Sequence, residues 1–175
     1  AATALIAGSA SVANQLLDIL VDDRMPRTAD RPLPAGRVSR FEAVGLAVAG
    51  LVVGVTWLIY RVNTLTAALG LASWLLYVVA YTPLKTRSSF NTTVGAVAGA
   101  IPILMGWTAG GGPLNLTAWS LAGVLFLWQF PHFMAIAWLY RADYAAAGLK
   151  MLPRARSARV IGLVATAYAS ALIPV

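Results

Sequence analysis

Six apolar runs, near residues 1–20, 42–60, 64–81, 92–109, 116–139 and 159–175, leave this chain few solvents in which it can fold. A helix needs about 20 apolar residues to cross the hydrocarbon core of a bilayer. Only helices and closed barrels can cross, because a backbone polar group without a partner is too costly in lipid. Barrel strands alternate apolar and polar residues, and these runs do not. The expected fold is therefore all-α, a polytopic transmembrane helix bundle. Composition agrees: 59% of residues are hydrophobic and 11% charged, against about 25% charged in a soluble domain. The many Ala and Gly residues suit close helix packing in lipid.

The loops carry an orientation signal. Arg24, Arg27, Arg31, Arg37 and Arg40 lie in the first, Lys85 and Arg87 in the third, and Arg141, Lys150, Arg154, Arg156 and Arg159 in the fifth. The second loop holds only Arg61, and the fourth, Gly110 to Asn115, holds no cation. By the positive-inside rule the first, third and fifth loops face the cytoplasm, which puts the chain in the cell (inner) membrane with its chemistry on the cytoplasmic side. The net charge of +7 is distributed in these clusters. It forms no basic stripe, so anionic headgroups and an anionic substrate fit better than nucleic acid. The absence of cysteine excludes disulfides, thiolate metal sites and cysteine nucleophiles. No basic flank precedes residues 1–21, as a cleavable signal would require. The chain starts and stops inside apolar runs, which reads as one domain, residues 1–175, truncated at both ends.

Asn14, Asp18 and Asp22 are spaced by four, so on a helix each is rotated only about 40° from the last and their oxygens share a face. Carboxylates near hydrocarbon are expensive and mark functional sites. Hard oxygen ligands suit Mg²⁺, which commonly bridges one or two carboxylates to substrate phosphates. The following stretch, DDRMPRTADRPLPAG from Asp22 to Gly36, sets Arg24, Arg27 and Arg31 directly after the acids. Planar guanidinium forks match phosphate oxygens, and acids beside arginines make a diphosphate site. The same residues also read as a helix end solvated by headgroups and as ordinary positive-inside charge.

NQLLDILVDDRMPRTADRPLPAG resembles the first signature of the UbiA prenyltransferase superfamily, and RMPRTADRPLPAG is similar to its heme O synthase branch. YTPLKTRSSFNTTVGAVAGAIPILMGW, Tyr81 to Trp107, and LWQFPHFMAIAWLYRADYAAAGLKMLP, Leu127 to Pro153, resemble that branch too. Two departures stand out. Ile19 and Leu20 replace an Arg and an Asp common in the branch, and YRADYAAAG offers only Asp143, with Tyr144 beside it, where other superfamily members carry several aspartates.

The resemblance implies a UbiA-type bundle of nine membrane helices around a cavity open to the cytoplasm, of which this chain supplies about six. It implies Mg²⁺ held by Asn14, Asp18, Asp22 and Asp143, with Asp18, Asp22, Asp143 and Tyr144 catalytic. Arg24, Arg27, Arg31, Lys85, Arg87 and Arg141 become diphosphate contacts. For Lys85 and Arg87 headgroup anchoring is the competing role, and for Arg141 pairing with Asp143. The implied substrates are farnesyl diphosphate and heme B, the product heme O, and the candidate protein partners heme A synthase or oxidase assembly proteins.

His132 is the single histidine and follows Pro131 in an apolar run, where a buried structural role is the plain expectation. It lies eleven residues from Asp143, close to three helical turns or about 16 Å. That is a porphyrin's scale, so His132 is a candidate heme-iron ligand. The six tryptophans are expected to pack or to anchor at the interface. Rival readings are a UbiA-type enzyme acting on 4-hydroxybenzoate or a chlorin, a transporter or ion-binding membrane protein, and an inactive assembly subunit. The transporter reading needs acids at mid-span, and five of the six acids lie at or beyond cytoplasmic helix ends, with Glu42 starting the second span on that side.

Overall fold

The computed structural model describes residues 1–150 and 157–173. Met151 to Pro153 of the third block, the loop cations Arg154 and Arg156, and the last two residues lie outside the described part. The described residues form α1 (Ala2–Asp22), the short α2 (Pro26–Ala29), α3 (Arg40–Arg61) and α4 (Thr64–Leu75). A π-helical segment (Leu76–Tyr81) and α5 (Thr82–Leu84) continue α4. Then come α6 (Asn91–Ala109), α7 (Leu116–Leu139), α8 (Arg141–Ala146) and α9 (Ala158–Ser170). Five helical stretches are long and apolar enough to cross a membrane, and α9 is a shorter apolar helix. The protein is a polytopic membrane helix bundle, as the apolar runs predicted.

Helix starts follow local chemistry. Ser39 and Glu42 form a reciprocal capping box at α3, with Glu42 Oε2 accepting from the Ser39 N–H at 2.8 Å. Asn63 and Asn115 cap α4 and α7 by accepting from Thr66 N–H at 2.7 Å and Ala118 N–H at 3.1 Å. Pro102 lies inside α6 and has no N–H for the carbonyl one turn back. That carbonyl, Ala98 O, accepts instead from Ser73 Oγ of α4 at 2.9 Å.

Successive helices are neighbours. α1 packs most extensively on α3, and the series continues from α3 to α4, α4 to α6, α6 to α7 and α7 to α9. α1 also touches α4, the π segment and α5, which bends the row around an interior. Small residues make most of the contacts: Ala2, Ala10 and Ala13 of α1 are buried, with Ile6 among them, as are Ala43, Ala47 and Gly54 of α3. A Cβ on Gly54 would lie 2.7 Å from Ile6 Cγ1 and 3.0 Å from the Ala2 carbonyl, so only glycine permits this approach. Dispersion between close backbones is what holds helices together when lipid is as apolar as the helix faces. Large residues such as Leu20, Val52, Val53 and Leu121 point outward, where a bilayer solvates them.

Polar ties cross the seams where they are buried. Ser9 Oγ donates to Ala47 O at 2.6 Å and accepts from Trp74 Nε1 at 2.9 Å, joining α1, α3 and α4. Trp74 therefore packs inside, whereas Trp57, Trp119 and Trp128 are exposed. Replacing Gly54 with Val should force α1 and α3 apart and destabilise the bundle by about 1–3 kcal/mol. A lowered midpoint of thermal unfolding in detergent checks this, and an unchanged midpoint contradicts the close-approach account.

Candidate active site

The Asn14, Asp18, Asp22 ladder faces the interior. All three residues are buried, at 6%, 7% and 2% relative exposure. Asn14 Nδ2 donates to Asp18 Oδ2 at 2.9 Å and to Thr82 Oγ1 at 3.0 Å. Lys85 Nζ donates to the same Asp18 Oδ2 at 2.6 Å. Arg31 reaches back across the first loop to Asp22 Oδ2 at 2.8 Å. Burial makes such pairing obligatory, since an uncompensated carboxylate would cost several kcal/mol.

The loop that returns Arg31 is built by its own backbone. Thr28, almost fully buried, donates its hydroxyl to Asp22 O at 2.8 Å, and its carbonyl accepts from the Arg31 N–H at 3.0 Å. On the other side the π segment sets the register. The Thr82 N–H bonds to Tyr77 O, five residues back, and the Thr82 hydroxyl donates to the same oxygen at 2.8 Å. Such π-helical insertions are frequent at functional sites. This one stacks Tyr77 on Tyr81, centroids 5.3 Å apart. It also sets Lys85 over the Tyr81 ring at 4.8 Å while its ammonium holds Asp18.

The result is a polar pocket of about 180 Å³ lined by Asn14, Asp18, Asp22, Arg27, Arg31 and Lys85, with Thr28, Tyr77, Tyr81 and Tyr144 completing its walls. Arg27 also lies over the Tyr140 ring at 5.0 Å. Tyr144 is brought in by docking of the segment after α8: the Lys150 N–H donates to Lys85 O at 2.7 Å, and buried Asn91 donates to Lys150 O at 2.8 Å. Burial pushes the Tyr144 phenol above its ordinary pKa, and the Arg27 cation pulls the other way. Below the polar pocket lies a second cavity of about 400 Å³, lined by Ile6, Ala10, Gly70, Pro102, Met105 and Phe133 among others. Tyr77 and Tyr81 line both, so the two spaces meet at their rings.

Several expected site residues stand elsewhere. Asp143 does not line the polar pocket, and among the described residues no three His, Cys, Asp or Glu side chains gather as a metal cluster. Of the four residues expected to hold a metal, Asn14, Asp18 and Asp22 line the pocket together and Asp143 does not. His132 and Asp143 share no continuous face, because α7 ends at Leu139 and Tyr140 (φ −101°, ψ 25°) breaks the helix before α8. His132 is exposed, contrary to the buried role expected of it; it stacks on Trp128 with centroids 4.9 Å apart and lines neither cavity. Arg141 does not pair with Asp143: it donates to Trp138 O at 3.0 Å and lies over the Trp138 ring. Arg24 and Arg87 are exposed outside the pocket. Tyr77, Tyr81, Thr28 and Thr82 were not singled out by sequence. The four-residue step between the two tyrosines, in phase with Lys85, was the available signal.

A model of the UbiA prenyltransferase family matches residues 1–175. The chain belongs to that family. It is 54% identical over 150 residues to a protoheme IX farnesyltransferase of Rhodopirellula baltica, an alignment covering 85% of this chain and 52% of the relative. It is 45% identical over 174 residues to the protein of that name from an Anaeromyxobacter species, covering 99% and 59%. The mitochondrial protein of that name from Homo sapiens is 47% identical over 150 residues, covering 86% of this chain and 34% of the relative. The chain thus spans a little over half the length of the bacterial relatives. No solved structure matches it.

Exchanging Lys85 for Met leaves Asp18 without its ammonium and should cost about 3–5 kcal/mol of stability in metal-free detergent. The double variant with Asp18→Asn should recover most of that loss, read as a coupling in a double-mutant cycle. Additive losses contradict a direct pair.

Proposed function

We propose that the full-length protein transfers a farnesyl group from farnesyl diphosphate to a vinyl group of heme B, giving heme O. The observation that carries this is the junction of two cavities of opposite character at Tyr77 and Tyr81. A diphosphate with an apolar tail suits that division. A benzene, six carbons, fills a cavity of roughly 150 Å³, so a space near 400 Å³ suits a chain of about fifteen carbons. The names of the relatives favour heme B over 4-hydroxybenzoate or a chlorin as acceptor. Acids paired at one end of the bundle, with apolar residues below them, speak against an ion path through mid-span.

The donor chemistry of the pocket fits Mg²⁺. Two buried carboxylates with hard oxygens, and no closed protein cage, suit an ion that completes its shell with water and phosphate oxygens. Asp18 and Asp22, with Asn14 one turn before Asp18 and bonded to it, would hold it. When bound, the ion neutralises the diphosphate so that it leaves more readily. Arg27, Arg31 and Lys85 present donors around the same pocket and stabilise the negative charge that grows on the leaving oxygens. The two tyrosine rings divide the wet pocket from the apolar one and keep water from the allylic carbon. Lys85 and Arg31 hold Asp18 and Asp22 in the resting arrangement, and both are within the pocket that a diphosphate would enter.

His132 is proposed as the contact to heme iron. It is open on α7 and adjoins Phe133, which lines the apolar cavity. The charge asymmetry of the loops favours a site at the cytoplasmic face of the cell (inner) membrane. Residues 1–175 would form one unit of the larger transferase domain, with heme A synthase or oxidase assembly proteins as partners.

In the full-length protein, Asp18→Asn and Asp22→Asn should each lower farnesyl transfer by on the order of a hundredfold or more, while membrane insertion is retained. Heme extracted from expressing membranes and identified by mass reads this; heme O at the unsubstituted level would refute the metal role. His132→Ala should weaken heme B binding and alter the iron spectrum, and an unaltered spectrum removes His132 from the site.

A further inference from the structure

The apolar cavity contains one polar side chain whose arrangement its packing role does not explain. Gln129 of α7 is buried, at 8% relative exposure, and lines the cavity wall. Its Nε2 donates to Ala96 O of α6 at 3.0 Å and to Leu125 O at 3.2 Å. Those two carbonyls fix the amide's orientation, since a flip would set Oε1 against two acceptors. Oε1 therefore faces away from them. Among the described residues no donor reaches it. Nor is it sealed, because every sealed side-chain nitrogen or oxygen among the described residues has a partner. Its accessible surface belongs to a residue that lines the cavity, beside Gly99, which lines it too.

A bare carbonyl in an apolar cavity costs on the order of 1–3 kcal/mol unless something satisfies it. The backbone is shaped to admit it: a Cβ on Gly99 would lie 2.2 Å from Oε1, so only glycine leaves room. Its depth is informative too. Gly95 touches the Tyr81 ring where the two cavities meet, and Gly99 is the next turn of α6, about 6 Å further in. On the prenyl-transfer reading, the first carbons of a chain whose diphosphate occupies the polar pocket would lie there. A hydrocarbon chain offers no hydrogen-bond donor. What it offers there is positive charge, as the bond to the leaving oxygen breaks.

We infer that the Gln129 carbonyl is a preset dipole whose negative end faces the allylic carbocation of the prenyl donor. The inference rests on the prenyl-transfer reading above. In the step concerned, the bond from the first prenyl carbon to the diphosphate oxygen breaks and its electron pair leaves with diphosphate. The cation then accepts the pair of the acceptor's double bond, forming the new carbon–carbon bond and leaving a cation on the acceptor's other vinyl carbon. Water captures that second cation with loss of a proton, giving the hydroxyl group. Gln129 exchanges no atom or electron. It lowers the energy of the charged species without reorganising, because two backbone carbonyls already hold its amide.

The test uses the full-length protein with inorganic pyrophosphate and two probes: farnesyltrimethylammonium, and its neutral isostere with carbon in place of nitrogen. The unsubstituted protein should bind the ammonium probe about tenfold more tightly than the isostere. Gln129→Leu should abolish that preference, keep the isostere's affinity, and lower kcat about tenfold with KM for the diphosphate unchanged. Gly99→Ala, which displaces the same oxygen without touching Gln129 chemically, should reproduce the loss of preference.

A retained preference in both variants overturns the inference, as does an equal loss of both probes, the mark of a packing role. Absence of any preference in an unsubstituted protein that still makes heme O overturns it as well. If the unsubstituted full-length protein makes no prenylated heme at all, the prenyl-transfer reading itself fails, and this inference with it.

Discussion

The Lys85 ammonium on the Asp18 carboxylate, 2.6 Å apart and nearly closed off from solvent, is the interaction around which the site is organised. It joins the end of α1 to the end of the third membrane span, two elements distant in sequence. Asn14 and Thr82 complete the same junction by hydrogen bonds. Buried charge in a membrane protein cannot be left alone, so each partner holds the other's helix in place. The Arg31 to Asp22 pair does the same for the first loop, folding it over the pocket.

That arrangement is at once structural and poised for an anionic ligand. The cations that satisfy Asp18 and Asp22 are the cations lining the pocket, with Arg27 beside them. On the proposed reading, a group bringing phosphate oxygens, with a divalent ion to meet the carboxylates, would replace one balanced set of charges by another. The pocket is polar at its upper end and apolar below, and the boundary is made by two stacked tyrosine rings. The π segment is what brings both rings to that boundary, since its extra residue per turn resets the phase of the helix before Thr82 and Lys85.

Much of this was legible in the sequence because the signals were local. Apolar runs of membrane-spanning length marked the long helices to within a few residues, and the four-residue ladder of Asn14, Asp18 and Asp22 gave a common face that the structure turns inward. The arginine-rich loop was legible as a partner for the acids, yet which arginines line the pocket was not. Arg24, Arg27 and Arg31 look alike in sequence, and only the backbone path through Thr28 sends Arg31 to Asp22 and leaves Arg24 outside. The common helical face expected of His132 and Asp143 is absent for the opposite reason. Their spacing assumed one helix, and the helix breaks at Tyr140.

By itself, then, the sequence determined the solvent, the number and length of the major helices, the face on which the acids lie and the family to which the chain is akin. These follow from hydropathy, period and short motifs, which a linear string records in full. Tertiary structure decided which cation meets which acid, that Tyr77 and Tyr81 stand between two cavities, and that Gln129, tied to Ala96 O of α6, lines the apolar one. Those outcomes depend on contacts between residues tens of positions apart and on one irregular turn of helix, whose rotation no local pattern encodes.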